Sequence, residues 1–437
     1  MKRILSLCLV FMLFAGMCFA NGSAESAPAK APKEFEGKTL TLMIQNKEGE
    51  YEAQMAQVRA FEEKYGCTVE VEVIPTGTAG ENLRLMRAAT HALPDVFGAS
   101  VGALLTQSNP EANCYPLNDQ PWIKNVDQAF LDAGTMNGKY YAVPTAPSNV
   151  GGVFYNKKVF EKNGISIPTT WDEFLSVCAD LKAKGIIPVA HPNSKQSLCQ
   201  VPFLMDYYYV EQENPQFAEL YTKNEIKLSD SPAFVYGLQK LYDLVTMGYL
   251  NEDAMSSTVE DVAMLLSDGD AAMSIIRTNI LTTINQVAPD KIDDIGFFPL
   301  PDKDPENRGV SSWLPIGYFM SNYAKEPELA LKFLEFVTTS EAVNEYVKVQ
   351  KPTGAFMLNG IEFDANADVY SALVEVQSWV EKASTSVFEY KCPIKGSDQP
   401  NICSQLAAGM ITAEEAVALI EKDNAISARQ LGLPGWV

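Results

Sequence analysis

The stretch NGKYYAVPTAPSNVGGVFYNKKVFEKNGI, residues 137–165, decides how the chain is divided. Two strand-like runs, residues 139–144 and 151–155, flank a small, mostly polar segment, Thr145 through Asn149. That segment is too polar for core and too short for a linker. Pro144 and Pro147 deny backbone donors and fix φ, so regular sheet should fail between them. Gly151 and Gly152 admit dihedrals that other residues resist. Rigid ends and permissive glycines make this a candidate crossover between two folding units. The alternative is an ordinary edge strand with a loop.

The rest of the chain repays reading outward from this point. At 437 residues it exceeds what one hydrophobic core serves, so two lobes or domains are expected. Hydrophobic residues at 47% and charged residues at 20% are globular proportions. Before the crossover, residues 38–45 read as strand, 51–65 as helix, 67–75 as strand, 82–89 as helix, and 93–100 contain a third strand. After it, Thr170-Trp171-Asp172-Glu173 is a capping box opening a helix to Lys184, ended by Gly185 before a strand at 186–191. Helices at 232–247, 259–267 and 327–337, strands at 271–276 and 295–298, and a second capping box, Thr412 to Glu415, continue the pattern. Such alternation predicts an α/β fold with helices covering a parallel sheet.

The N-terminus carries Lys2 and Arg3, then no charge from Ile4 to Ala20, then small polar residues. That is a secretory signal peptide at 1–20 followed by a linker at 21–35, which places the mature chain outside the cytoplasm. Ala15-Gly16-Met17-Cys18 approximates a lipoprotein box, with Met17 where a small residue is required, so lipidation at Cys18 stays open as an alternative. So does an uncleaved anchor, since the run is at the short end for spanning. Loss of Lys2 and Arg3 takes the formal charge from -21 to -23, and no Lys/Arg cluster stands out, which excludes nucleic acid and anionic lipid as partners. Six cysteines follow the signal; an exported chain permits disulfides, and Cys392 with Cys403 is the first pair to test. No CxxC spacing points to zinc or redox chemistry, and no metal or cofactor is expected.

Catalytic signatures are sparse. The two histidines, His91 and His191, are a hundred residues apart, and there is no HExxH, GxSxG or GxxxxGK[ST]. His91 reads as a surface residue near a helix end. A glycosidase needs two carboxylates, but nothing singles out a pair among 55 Asp and Glu residues. The chain is therefore read as no enzyme, with a secreted carbohydrate-active hydrolase kept as the alternative. Tyr140-Tyr141 and Tyr207-Tyr208-Tyr209 open a ferric-iron reading, weakened because neighbouring strand residues face opposite ways.

Several stretches, in order, resemble one family. VRAFEEKYGCTVEVEVIP and ALPDVF are similar to its first elements. Asn137-Gly138-Lys139, Val143-Pro144, Tyr155-Asn156-Lys157 and Pro168-Thr169-Thr170-Trp171-Asp172-Glu173 resemble its most recognisable block, and LLSDGDAAMSIIRTN, ELALKFLEFVTTSEA and QLAAGMITAEEAVALI follow in place. The chain is identified on these motifs as resembling the family 1 sugar-binding group of extracytoplasmic solute-binding proteins of ABC importers, which includes maltose-binding protein. It departs from the pattern at Arg277-Thr278-Asn279, where the family has Gly and then an aromatic, and at His91-Ala92.

The resemblance implies a two-lobed periplasmic-binding-protein fold of type II, with the ligand cleft between lobes joined by crossing hinge segments. Lobe I would hold 36–147 plus 314–339 and lobe II 148–313 plus 340–437, with crossings near Pro147, at 313–316 and near Ser340. Binding would close the lobes by hinge motion. A monomer would then deliver a sugar to its ABC permease; a polyamine or ferric iron is the non-sugar alternative. Loops at the carboxyl ends of strands should supply the contacts, which nominates Asn46, Lys47 and Glu48 after the first strand and Ser100 after the third. Outward matching from Tyr155-Asn156-Lys157 puts Asn149 at a ligand-contacting position of the family, with Ser148 beside it. His191 and Asn193 follow the strand at 186–191. Arg277 would hold a ligand carboxylate or pair with an internal Asp, Asn279 stands near the family's stacking aromatic, and Trp313 becomes the stacking candidate. Trp171 reads as core.

Overall fold

A computed structural model describes residues 33–45, 50–75, 78–364 and 369–436. The expected signal peptide, most of the linker, Cys18, and the nominated Asn46, Lys47 and Glu48 lie outside the described residues. The last linker residue, Phe35, is already buried, its ring edge-on to Tyr65 at 6.1 Å.

In chain order the strands are β1 (Thr39–Gln45), β2 (Thr68–Ile74), β3 (Val96–Ala99), β4 (Thr135–Met136), β5 (Lys139–Tyr140), β6 (Ala142–Pro144), β7 (Asn149–Asn156), β8 (Ile187–Val189), β9 (Ala271–Arg277), β10 (Ile295–Phe298), β11 (Val310–Trp313), β12 (Gly317–Met320) and β13 (Ser384–Ser386). They build two main sheets. The first runs β2-β1-β3-β12-β6, with β1 parallel to β2 and β3, and β12 antiparallel to β3 and β6. The second runs β13-β11-β7-β9-β8, and β10 pairs with the far half of β7. Each sheet has its own core. Leu40, Leu42 and Ile44 meet Phe61 and Phe333 in the first lobe. In the second, Met273 and Ile275 face one cluster, whereas Phe154 and Ile276 belong to another. Sheets covered by helices therefore form two lobes, but each sheet is mixed rather than parallel, because β12 runs antiparallel to β3 and β6 and β7 runs antiparallel to β9, β10 and β11.

Local signals act where expected. Thr170 Oγ1 accepts from the Glu173 N–H at 3.2 Å, and the box sets the start of the Trp171–Ala183 helix, a cap worth about 1 kcal/mol. Trp171 is core, stacked on Phe174 at 4.9 Å.

The chain passes from β6 of the first sheet to β7 of the second through residues 145–148, and returns from β11 to β12 through 314–316. The third passage differs from expectation. The Ser340–Val349 helix stays with the first lobe, because Val343 and Tyr346 pack with Ala53 and Phe356. Residues up to Asp364 follow it: Asn359 N–H donates to Asn125 O at 2.7 Å, and Asp364 N–H to Asn344 Oδ1 at 3.0 Å. Tyr370 and the Ser371–Lys382 helix then pack on the second lobe.

Three further expectations are corrected. Gly151 and Gly152 lie within β7 without positive φ; a Cβ on Gly151 would sit 2.7 Å from Trp313 and 2.9 Å from Met205, and one on Gly152 2.3 Å from Phe297. They make room for large neighbours rather than supplying a bend. The six cysteines among the described residues are buried and free, Cys392 and Cys403 included. Cys392 instead accepts from Thr222 Oγ1 at 3.4 Å. Tyr207, Tyr208 and Tyr209 open a helix, Tyr207–Glu213, rather than a strand, and all three are buried, with the Tyr209 hydroxyl donating to Leu300 O at 2.7 Å.

Candidate ligand-binding cleft

Strand direction brings one edge of each sheet to the crossings. In the first lobe β1, β3 and β6 end there and β12 begins; in the second β7 begins there and β8, β9, β11 and β13 end. Carboxyl ends of strands in open α/β sheets are where ligands bind.

The second-lobe edge gathers most of the nominated residues. Ser148 is buried, its N–H donating to Ala355 O at 2.6 Å, and a Cβ at Gly354 would come within 2.4 Å of its carbonyl oxygen. Asn149, half-buried, accepts from Thr278 Oγ1 at 3.2 Å and stands opposite Trp313 in register. Arg277 ends β9 opposite Gly151, with its guanidinium 5.6 Å from the Trp313 ring centre. Gly151 stands beside Trp313, where a Cβ would come within 2.7 Å of the ring, and Trp313 packs in the same core cluster as Met205 and is only 7% exposed. Asn279 caps the Ile280–Val287 helix by position but not through its side chain, and its Oδ1 is enclosed without a partner. His191 and Asn193 follow β8 and are buried at 1% and 2% exposure. The His191 N–H donates to Asn251 Oδ1 at 2.9 Å, while the His191 ring nitrogens and the Asn193 amide atoms, which interact with each other, have no other partner among the described residues. Burial pushes the His191 imidazole down to about 4, with the neighbouring Asn193 amide opposing. Among the nominated residues on the first-lobe edge, Ser100 is half-buried just past β3.

Electrostatics tie the two edges together. Burial lowers the Arg277 pKa, opposed by Tyr390, Glu389 and Glu50. Glu50 precedes the first helix, and its charge also raises Tyr318 and Tyr346 beyond what their burial does. Carboxylates of both lobes, Glu50 and Glu389, therefore act electrostatically on the Arg277 guanidinium.

A model of the bacterial extracellular solute-binding proteins matches residues 45–344. The chain belongs to that family. This solute-binding protein is 24% identical over 344 residues to the multiple sugar-binding protein of Streptococcus mutans, covering 78% of this chain and 80% of that one. It is 22% identical over 396 residues to the melibiose/raffinose/stachyose-binding protein MelE of Bacillus subtilis, 87% of each. A sugar transporter structure from Bacillus licheniformis, in complex with stachyose, superposes with a TM-score of 0.67 at 17% identity, over 90% of this chain and 99% of that one. That likeness establishes the fold.

Sequence reasoning missed Glu50, Tyr318, Tyr346, Glu389 and Tyr390 of this solute-binding protein. Glu50 stands two residues beyond the nominated loop, and Tyr318 two beyond the second crossing; the other three carried no motif. Tyr390 links the lobes, its hydroxyl donating to Leu314 O at 3.0 Å. Among the described residues no group of three or more His, Cys, Asp or Glu is placed to hold a metal, and no helix is long and apolar enough to cross a membrane. A polar groove of about 480 Å³ near the other end of the first sheet is lined by residues that include Glu72, Arg87, His91 and Asp95. Two of its charges are already partnered: Arg87 pairs with Glu72, and Asp95 accepts from Thr41 and from the backbone N–H groups of Lys325 and Glu326. His91 is exposed there, its ring 4.4 Å from Tyr323. The cleft is the opposite case, with Arg277 Nε and Asn279 Oδ1 enclosed and without a hydrogen-bond partner among the described residues.

Proposed function

We propose that the protein captures a sugar or oligosaccharide outside the cytoplasm by lobe closure and delivers it unchanged to the permease of an ABC importer. The observation that carries this is the set of enclosed polar groups on the second-lobe edge, His191, Asn193, Arg277 and Asn279, which have atoms without hydrogen-bond partners among the described residues. Buried polar groups are costly unless bonded, and a hydroxyl-rich ligand offers both donors and acceptors. Membership of the solute-binding family and relatives named for raffinose, melibiose and stachyose support the same reading. Ser100, Ser148 and Asn149 complete the proposed contacts, with Asn46, Lys47 and Glu48 from the loop after β1. The protein acts as a monomer after export by its N-terminal signal, and the mass of the mature N-terminus distinguishes cleavage after Ala20 from lipidation at Cys18.

A thermal-shift screen of mono- and oligosaccharides tests the proposal, since a ligand that binds only the folded form raises the midpoint. A sugar that stabilises the protein and is recovered intact fits the reading. Cleaved sugar makes the protein a hydrolase, and stabilisation by a polyamine or ferric iron alone overturns the sugar assignment.

A further inference from the structure

We infer that the sugar held in this cleft carries a carboxylate, as a uronic acid residue does, and that Arg277 binds it; the inference rests on the sugar-capture reading above. Arg277 closes β9 at the cleft edge, opposite Gly151. Its Nε is enclosed without a partner, and its guanidinium makes no ion pair among the described residues. A desolvated cation is costly unless something compensates it. The carboxylates that act on it do so without bonding it. Glu389 is engaged by Lys395 at 2.5 Å, and Glu50 reaches from the other lobe.

The support beneath Arg277 is fixed. Trp313 lies 5.6 Å from the guanidinium, and Gly151, which has no side chain, stands so near that a Cβ there would come within 2.7 Å of the ring. A cation over an aromatic face is held there without giving up its N–H groups. The same contact takes up a face of Trp313, so this ring positions Arg277 rather than offering that face to a sugar. A planar fork matches a carboxylate with two parallel hydrogen bonds, a fit that a single hydroxyl does not reproduce. Where the family resemblance leads one to expect Gly and an aromatic, this chain has Arg277-Thr278-Asn279, which exchanges a stacking surface for a charge. The formal charge of -21 repels anions at a distance, but a screening length of about 8 Å at physiological ionic strength leaves the local guanidinium in control within the cleft.

The test is calorimetric titration of the full mature chain with galacturonate and digalacturonate, glucuronate, their methyl esters, and the neutral sugars galactose, glucose, raffinose and stachyose. A uronate should bind at least tenfold more tightly than its methyl ester and its neutral counterpart. Arg277→Gln should abolish that preference, whereas Arg277→Lys should keep part of it; if the Gln variant fails to fold, the Lys variant and the esters decide. Neutral sugars bound as tightly as uronates, or a uronate preference that survives Arg277→Gln, overturn the inference and leave sugar capture standing. Failure of every carbohydrate in both series overturns both.

Discussion

Two basic side chains of the second lobe, Lys240 fully buried and Arg277 half-buried with its Nε enclosed, are treated in opposite ways. Lys240, on the Pro232–Thr246 helix, is 1% exposed and lies 2.9 Å from Asp206 and 3.2 Å from Asp302. The rings of Tyr209, Tyr236 and Trp171 surround it at 4.9, 5.3 and 5.7 Å. Arg277 has one aromatic face and no ion pair among the described residues. The first charge is compensated within the protein, so it serves the fold. The second is left for something that arrives. A buried charge thus separates structure from function by whether its partner is already present.

The largest expected effect breaks the Lys240 side of this comparison. Lys240→Met leaves two carboxylates facing a buried methionine and should cost about 3–5 kcal/mol in denaturant unfolding, whereas Arg277→Met should change unliganded stability by less than about 1 kcal/mol. Equal costs would erase the distinction. The pH dependence sharpens it. Burial raises Asp206 to about 7 even with Lys240 beside it, so the folded chain keeps a proton that the unfolded chain releases above its ordinary value of 3.8. Its ionisation therefore costs stability as pH rises through that interval, and the loss in Lys240→Met should be greater at pH 8 than at pH 5.

His191 gives the next effect, with the opposite sign. Held at about 4 instead of 6.5, it refuses a proton that the unfolded chain accepts as pH falls through that window. Stability present above pH 6.5 is lost toward pH 4, by roughly 3 kcal/mol in all. Because Asp206 opposes it over the same range, the measurement is the difference between the stability profiles of the native chain and His191→Asn, which should lack this acid-side loss.

Gly151→Ala places a Cβ 2.7 Å from Trp313, so overpacking should cost about 1–3 kcal/mol and displace the ring beneath Arg277. A uronate affinity unchanged in that variant would show that Trp313 does not position Arg277. The smallest effect belongs to Asn149→Ala, which should weaken sugar binding by about 1 kcal/mol while leaving the unliganded melting temperature nearly unchanged. Loss of folding instead would make its bond to Thr278 structural.

How much of this was legible in the sequence follows from the range of each interaction. The Thr170–Glu173 and Thr412–Glu415 boxes formed because their partners are three residues apart. Strand and helix periodicity predicted many of the strands but not their mixed sense, which depends on where β7 and β12 insert, and the prolines of the opening stretch marked the first crossing. The third crossing was misplaced because Ser340–Val349 is an amphipathic helix that would suit either lobe, and only its packing beside Ala53 decides which. Gly151 and Gly152 read as hinge glycines because sequence reports what a glycine permits, whereas the structure reports what stands beside it.

The sequence by itself determined the α/β class, the two lobes, the order of elements and the residues near the first two crossings, since these depend on periodicity, caps and turns among near neighbours. Tertiary structure alone decided which charges are compensated, which glycines serve packing, that Cys392 and Cys403 stay apart, and that Glu50 of one lobe acts on Arg277 of the other. Those outcomes depend on pairs far apart in the chain, such as Lys240 with Asp302 or Arg277 with Trp313, whose meeting no local pattern encodes.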